Sequence, residues 1–325
     1  MKTPKPNSHL PCLLIAALIT LTIVPLPAQT KENKPAEKQR LFDSPEAASK
    51  ALVEATKARD HTALHEIFGP EGHELVTGDK VLDAAAFEKF CTSIQKLCHI
   101  ETVNKDRVVF NIGPDNWPFP IPLMKKDGKW FFDTDAGKEE IVNRHIGENE
   151  LNTIKVCRAY VVAQLDYAGE VRDDSEVRKY AQKMRSSAGK KDGLYWDATE
   201  KDDPSPLAYM VAEAEAQGYE HHKNAENAHQ FHGYVFKILT KQSASAPGGA
   251  YNYVINGNMI AGFAMIAYPE SWGKSGVMTF IINQQGKVYE RNFGEKTAEL
   301  AAAITEYDPD KNWSPVENQD IASKQ

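Results

Sequence analysis

Tyr234-Val235-Phe236-Lys237-Ile238-Leu239, Tyr251-Asn252-Tyr253-Val254-Ile255, Met259 to Tyr268, Val277 to Ile282 and Lys287-Val288-Tyr289-Glu290 are short runs rich in β-branched and aromatic residues. Pro247-Gly248-Gly249, Asn256-Gly257, Gly273-Lys274-Ser275-Gly276 and Gln285-Gly286 punctuate them. Such runs between turn residues read as strands. Asn256-Gly257 is the strongest hairpin signal, because a two-residue type I′ turn needs φ > 0 at both central positions. Residues 231–316 therefore read as an antiparallel meander of about five strands. A helix follows from Thr297 to Thr305, and 317–325 is a tail.

Upstream, residues 137–230 read as a helical connector. Ile141, Val142 and Ile146 precede a break at Gly147, with Asn149 as cap of a second helix through Leu151, Ile154, Val156, Tyr160, Val161 and Leu165. Glu176 to Arg185 and Leu207 to Gln217 are further helix candidates, and Gly218 closes the last. Gly193-Leu194-Tyr195-Trp196 leaves the helical pattern and offers two large rings for packing.

Residues 42–136 form an N-terminal part. Ser44 can cap a helix that begins at Pro45, where the missing N–H costs nothing. A short helix through Leu64, Ile67 and Phe68 stops at Gly69-Pro70, and another runs from about Asp83 to Leu97. Arg107 to Ile112 is a strand, and Ile121 to Asp133 is a hairpin over Asp127-Gly128. Helices followed by a curved antiparallel sheet give an α+β class. The order resembles the cone-shaped nuclear-transport-factor-2-like domains, which implies a pocket between helix and sheet. No cluster of Asp, His or Tyr there names a catalytic pocket.

Residues 1–29 have the layout of a secretory signal: Lys2 and Lys5, the apolar run Leu13–Val24, then Pro25-Leu26-Pro27-Ala28-Gln29. The run has 12 residues, short of the about 20 a membrane span needs. Cys12 lies at its front, which argues against lipid attachment. Residues 30–41 read as a flexible leader. Cleavage takes the basic count from 38 to 36 against 45 acids, so net charge moves from −7 to −9. That sign repels nucleic acid. Cys91, Cys98 and Cys157 remain, and an odd count leaves at least one thiol unpaired. On one helix Cys91 and Cys98 would lie about 10 Å apart, too far for a bridge. All three read as structural.

The catalytic patterns fail on context. His221, His222, His229 and His232 crowd one region without metalloenzyme spacing, and read as a solvated loop; no metal or cofactor is assigned. Lys274-Ser275 lacks the Gly-x-Ser-x-Gly elbow. Asp133 and Asp135, like Asp173 and Asp174, read as turn and cap residues. Pro247-Gly248-Gly249 precedes no helix and cannot cradle phosphate. Pro114-Asp115-Asn116-Trp117-Pro118-Phe119-Pro120 is a stiff segment that either packs on its own domain or docks a partner.

Several ordered segments resemble the exported bacterial family catalogued as domain of unknown function 2950. They are Phe42-Asp43-Ser44-Pro45, Gly113 to Pro122, Phe132 to Gly137, Arg144 to Leu151, Val156 to Tyr160, Lys191 to Trp196, His232-Gly233-Tyr234, Ala246 to Tyr251 and Ser275 to Phe280. The resemblance spans about Phe42 to Val316 and implies export and a shared fold, with no established activity. Gly233 to Phe236, Gly262 to Pro269, Gly273 to Gly276 and Phe280 to Val288 also look like the globular sheet of some pilin-like proteins. The chain lacks their N-terminal Phe and assembly helix.

These readings lead to an exported, periplasmic or secreted scaffold or binding protein without enzymatic activity. It would engage an envelope protein or small ligand, through its C-terminal sheet, with no stable membrane span after signal cleavage. Asp115, Trp117, Arg158, Tyr195, Trp196, His232 and Tyr251, polar or ring-bearing members of the matching segments, are the candidate contacts. The alternative is a hydrolase with a site between the two α+β parts, using His232, Tyr251, Asp115 and Arg158.

Overall fold

The computed structural model describes residues 39–76, 80–172, 176–197, 204–209, 229–231 and 233–317. The His221/His222 pair, His232 and most of the expected helix at Leu207–Gln217 fall outside them. Three helices open the chain: α1 (Pro45–Ala58), α2 (His61–Phe68) and α3 (Lys80–Lys96). The Ser44 hydroxyl accepts the Ala47 N–H at 3.2 Å and Asp60 accepts that of Ala63 at 3.0 Å, so both early helices start on side-chain caps. Five strands follow: β1 (Cys98–Asn104), β2 (Arg107–Ile112), β3 (Trp117–Pro118), β4 (Leu123–Lys126) and β5 (Lys129–Phe132). They pair antiparallel in the order β1-β2-β4-β5, with β3 also on β2. Cys98 begins β1 and does not continue α3, so the helical spacing applied to it does not hold. The three cysteines are free thiols. Asp127 and Gly128 have φ of 50° and 80°, as the hairpin between β4 and β5 requires. Leu52, Ile67, Phe110 and Phe132 centre the core of this part.

Helix α4 (Thr134–Tyr167) is one unbroken rod of 34 residues, about 51 Å long. The expected break at Gly147 is absent, because a lone glycine weakens a helix by only about 1 kcal/mol and tertiary packing overrides that. The buried face of the rod carries Asn149, Thr153, Val156, Cys157, Tyr160, Ala163, Gln164 and Tyr167. Leu151 and Leu165, expected on the apolar stripe, are more than half exposed.

Residues 176–185 are not helical. Gln164 explains this: its amide donates to the Ala181 carbonyl at 2.9 Å and its Oε1 accepts the Ala181 N–H at 2.8 Å. Tyr180 N–H goes to Met259 O, and the chain at 183–186 bonds to 194–195. Backbone groups committed this way cannot close helical turns.

The C-terminal part holds β6 (His229–Phe231), β7 (Tyr234–Leu239), β8 (Lys241–Gln242), β9 (Tyr251–Asn252), β10 (Val254–Ile255), β11 (Asn258–Met259), β12 (Ala264–Pro269), β13 (Thr279–Asn283), β14 (Tyr289–Arg291) and β15 (Ser314–Pro315). A six-stranded antiparallel sheet runs β15-β14-β13-β12-β7-β6. The run Tyr251–Ile255 is not a member. It splits between the small β8-β9 and β10-β11 pairs, an excursion between β7 and β12. Asn256 and Gly257 make the hairpin with φ of 50° and 80°. Phe236, Phe263, Met265, Phe280 and Ile282 build the core, and helix α5 (Thr297–Ala303) follows the sheet.

The second half of α4 is clamped to this sheet. Glu150 Oε1 accepts the N–H groups of Val277 and Met278, each at 2.9 Å. Asn149 donates to Ser275 O at 2.9 Å, and Tyr160 Oη donates to Ala264 O at 3.1 Å. No helix among the described residues is long and apolar enough to cross a membrane.

A Cβ at Gly147 would meet nothing within 4 Å. Gly147→Ala is therefore expected to stabilise the protein by about 0.5–1 kcal/mol in urea melts. A loss of stability would show that the rod does break there.

Candidate functional site

The proline-rich segment folds back as a strap over β2. Asn116 turns the chain with φ 50°, Trp117 and Pro118 pair with Ile112 and Asn111, and the Phe119 N–H reaches Phe110 O at 2.7 Å. Phe119 is buried and stacks on Phe90, with centroids 4.9 Å apart. Ile121 presses on Gly137 of α4 so closely that a Cβ there would lie 2.6 Å from Ile121 Cγ1. The strap thus lies against the first turns of the rod.

Between them is an open cleft of about 210 Å³. Arg107 and Val109 come from β2, Pro118 to Pro120 and Pro122 from the strap, and Ala136, Glu140 and Arg144 from α4. Arg144 is held on three sides. Its Nε donates to Glu140 Oε1 at 2.7 Å, its Nη1 to Pro118 O at 2.7 Å, and its guanidinium lies 5.1 Å from the Trp117 ring centroid. Beneath the helix start, Asp133 Oδ1 caps the Ala136 N–H at 3.1 Å, while its buried Oδ2 has no partner among the described residues. Burial pushes its carboxyl above the ordinary range, with Asp135 adding to the effect. The Ala136 N–H and Arg107 pull the other way without prevailing.

The described sequence candidates fall on different elements and line neither cleft. Asp115 is exposed on the strap and Trp117 stands next to it, outside the cleft lining. Arg158 is fourteen residues beyond Arg144 on the same rod, about 21 Å along its axis. Tyr195 and Trp196 sit in the 180–197 loop. Arg185 covers the Tyr195 ring at 5.1 Å, and Arg172 and Lys191 cover the Trp196 ring at 5.3 and 5.4 Å. Tyr251 packs on Tyr253 and accepts from Gln284 at 3.3 Å. Asp115, Arg158 and Tyr251, three of the four hydrolase candidates, line neither this cleft nor the larger one below. His232 is outside the described residues. Arg107, Glu140 and Arg144 were missed by sequence reading. Arg144 belonged to a quoted segment, but nothing in its spacing pointed to a strap 26 residues away.

A larger cleft of about 350 Å³ opens near α5, lined by Arg291, Phe293, Trp313, Glu306, Asp308 and Asp310 among others. Its carboxylates are engaged: Asp308 by Ser243, Asp310 by the Asn312 amide and Glu306 by Lys241. Elsewhere, Ser187 has a lysine within bonding reach, Lys183 Nζ at 2.7 Å. That lysine also pairs with Asp192 at 2.8 Å. Burial works to raise the Asp192 carboxyl, but the Lys183 bond and the Ser187 amide and hydroxyl outweigh it and bring it to about 2. Lys183 Nζ thus donates to both Ser187 and Asp192, fastening the loop. No group of three metal-ligating side chains occurs among the described residues.

A family model described as protein of unknown function (DUF2950) matches residues 39–316. No curated protein and no solved structure matches the chain.

Because the Asp192 carboxyl is depressed in the folded state, its stabilising contribution is present above the unfolded value of 3.8 and is lost as pH falls towards about 2. Urea melts of wild type and Asp192→Asn should differ at pH 6, and the difference should shrink between about pH 4 and about pH 2. A gap independent of pH would mean the ion pair contributes nothing.

Proposed function

We propose that this chain, which belongs to the family described as protein of unknown function (DUF2950), is an exported envelope protein that binds a small ligand, or the end of a larger one, in the strap cleft. The observation that carries the reading is Arg144, fixed by Glu140, Pro118 and Trp117 at the wall of an open cleft that three prolines of the strap also line. A guanidinium held in place before binding loses little conformational freedom when a ligand arrives. The strap loses little for the same reason, since proline fixes φ.

Export is supported by the basic start, the apolar run Leu13–Val24 and the Pro25–Gln29 segment after it, which looks like a processing site. Contact with an envelope partner through the C-terminal sheet is the second reading. Its edge strands β15 and β6 have two and three residues, and one of the two in β15 is Pro315. Strand addition there has a short template. A hydrolase between the two parts is the weaker alternative, because Asp115, Arg158 and Tyr251 line neither cleft.

A thermal-shift panel of small envelope components tests the cleft. Hits should raise the Tm of the wild-type protein and shift Trp117→Ala less, because Arg144 then keeps only its Glu140 and Pro118 bonds. Trp117 is 42% exposed, so its removal is tolerated by the core. Hits that shift both proteins alike would place binding elsewhere and end the proposal.

A further inference from the structure

We infer that the strap cleft takes the oxyanion end of its ligand, a carboxylate or a phosphate monoester; this rests on the cleft being the ligand site. The volume of about 210 Å³ equals about seven waters at the roughly 30 Å³ each occupies in the liquid. That is below the about 300–1,000 Å³ of pockets that enclose a drug-sized molecule. The cleft suits a small molecule or one terminal group.

Its charge is the reverse of the chain's. Against a net −7, the lining carries Arg107 and Arg144 with Glu140 as its one carboxylate. Glu140 is committed to Arg144 Nε. Arg144 uses Nε and Nη1 within the protein, which fixes its plane and leaves Nη2 without a hydrogen bond among the described residues. Arg107 is exposed, makes no hydrogen bond or ion pair through its side chain among the described residues, and acts on Asp133 only through space.

Pro118, Pro120 and Pro122 have no N–H to give. The side-chain donors of the lining are therefore the two guanidinium groups, whose planar forks match the oxygens of a carboxylate or a phosphate. A neutral carbonyl end can accept a single bond from Arg107, but a charged oxyanion makes a bond roughly twice as strong and fills both prongs of the fork.

Isothermal titration of the whole chain tests this with three probes: N-acetyl-alanyl-alanine, its C-terminal amide, and glycerol 3-phosphate. Binding of one or both anions without the amide is the expected result, and the anion that binds identifies the source of the oxyanion. Arg107→Ala should weaken that binding at least about tenfold, the equivalent of one charge-assisted hydrogen bond. It has no structural bond to lose, so its melting temperature should match wild type. Equal binding of acid and amide, both lost in Arg144→Ala, would keep the cleft as a ligand site and remove the oxyanion. Anion binding indifferent to both arginines would remove the cleft as well. No binding of either anion at millimolar concentration would also overturn the inference.

Discussion

Backbone N–H and C=O groups pressed into an interior must find partners, and much of this molecule's interior is loop. Carboxamide side chains meet the demand. Gln164 takes both polar groups of Ala181, as a neighbouring strand would. Gln242 donates to the carbonyls of Pro247 and Gly249 and accepts the Tyr253 hydroxyl, so the proline-glycine turn is wrapped around one buried amide. Gln39 reaches the carbonyls of Ile67 and Phe132, joining α2 to β5. An amide offers donors and acceptors on one short stem and can stand in for a strand edge. Replacing any of these by an apolar side chain would orphan two or three buried groups, at about 1–3 kcal/mol each.

The rod α4 carries that logic from one core to the other. At its start, Thr134 donates to Phe68 O at 2.6 Å and Arg144 secures the strap. Further along, Asn149 and Glu150 hold the 275–278 turn, where space is so tight that a Cβ on Gly276 would meet Tyr234 Oη at 2.2 Å. Farther still, Tyr160 and Gln164 dock the sheet and the 180–197 loop. Because one wall of the strap cleft is part of this rod, that wall is as stiff as the two cores that grip the helix.

Patterns that repeat with a backbone period were readable from sequence. The runs Tyr234–Leu239 and Val277–Ile282, the two Xaa-Gly hairpins and the capped start at Ser44 are local statements, and the structure has them. Misreadings occurred where a polar side chain decides the outcome over a distance. Hydrophobic periodicity assigned Leu151 and Leu165 to the inner face of α4, while Asn149, Thr153 and Gln164 occupy it. The helix read at Glu176–Arg185 looked sound by spacing, and distant partners undo it: a glutamine seventeen residues before Ala181, Met259 and the backbone at 194–195. Strand β1 was overlooked because its first residues seemed to extend α3 and its outer half is polar and exposed.

The candidate site was half legible for the same reason. Trp117 stood out as a ring in a proline run, but its importance lies in the arginine it supports, which comes from another element. Several of the large rings and charges here are already engaged. Tyr195 has Arg185 on its face and Asp197 on its hydroxyl, and Trp196 lies between two cations. Ser187 and Lys183 share Asp192. Groups spent on one another fasten a loop and have little left for a ligand. Arg107 differs, because folding has placed a full charge at an open cleft without giving it a bonded counterion among the described residues. Beyond its through-space pull on the Asp133 carboxyl, what such a charge can offer is directed to whatever enters the cleft.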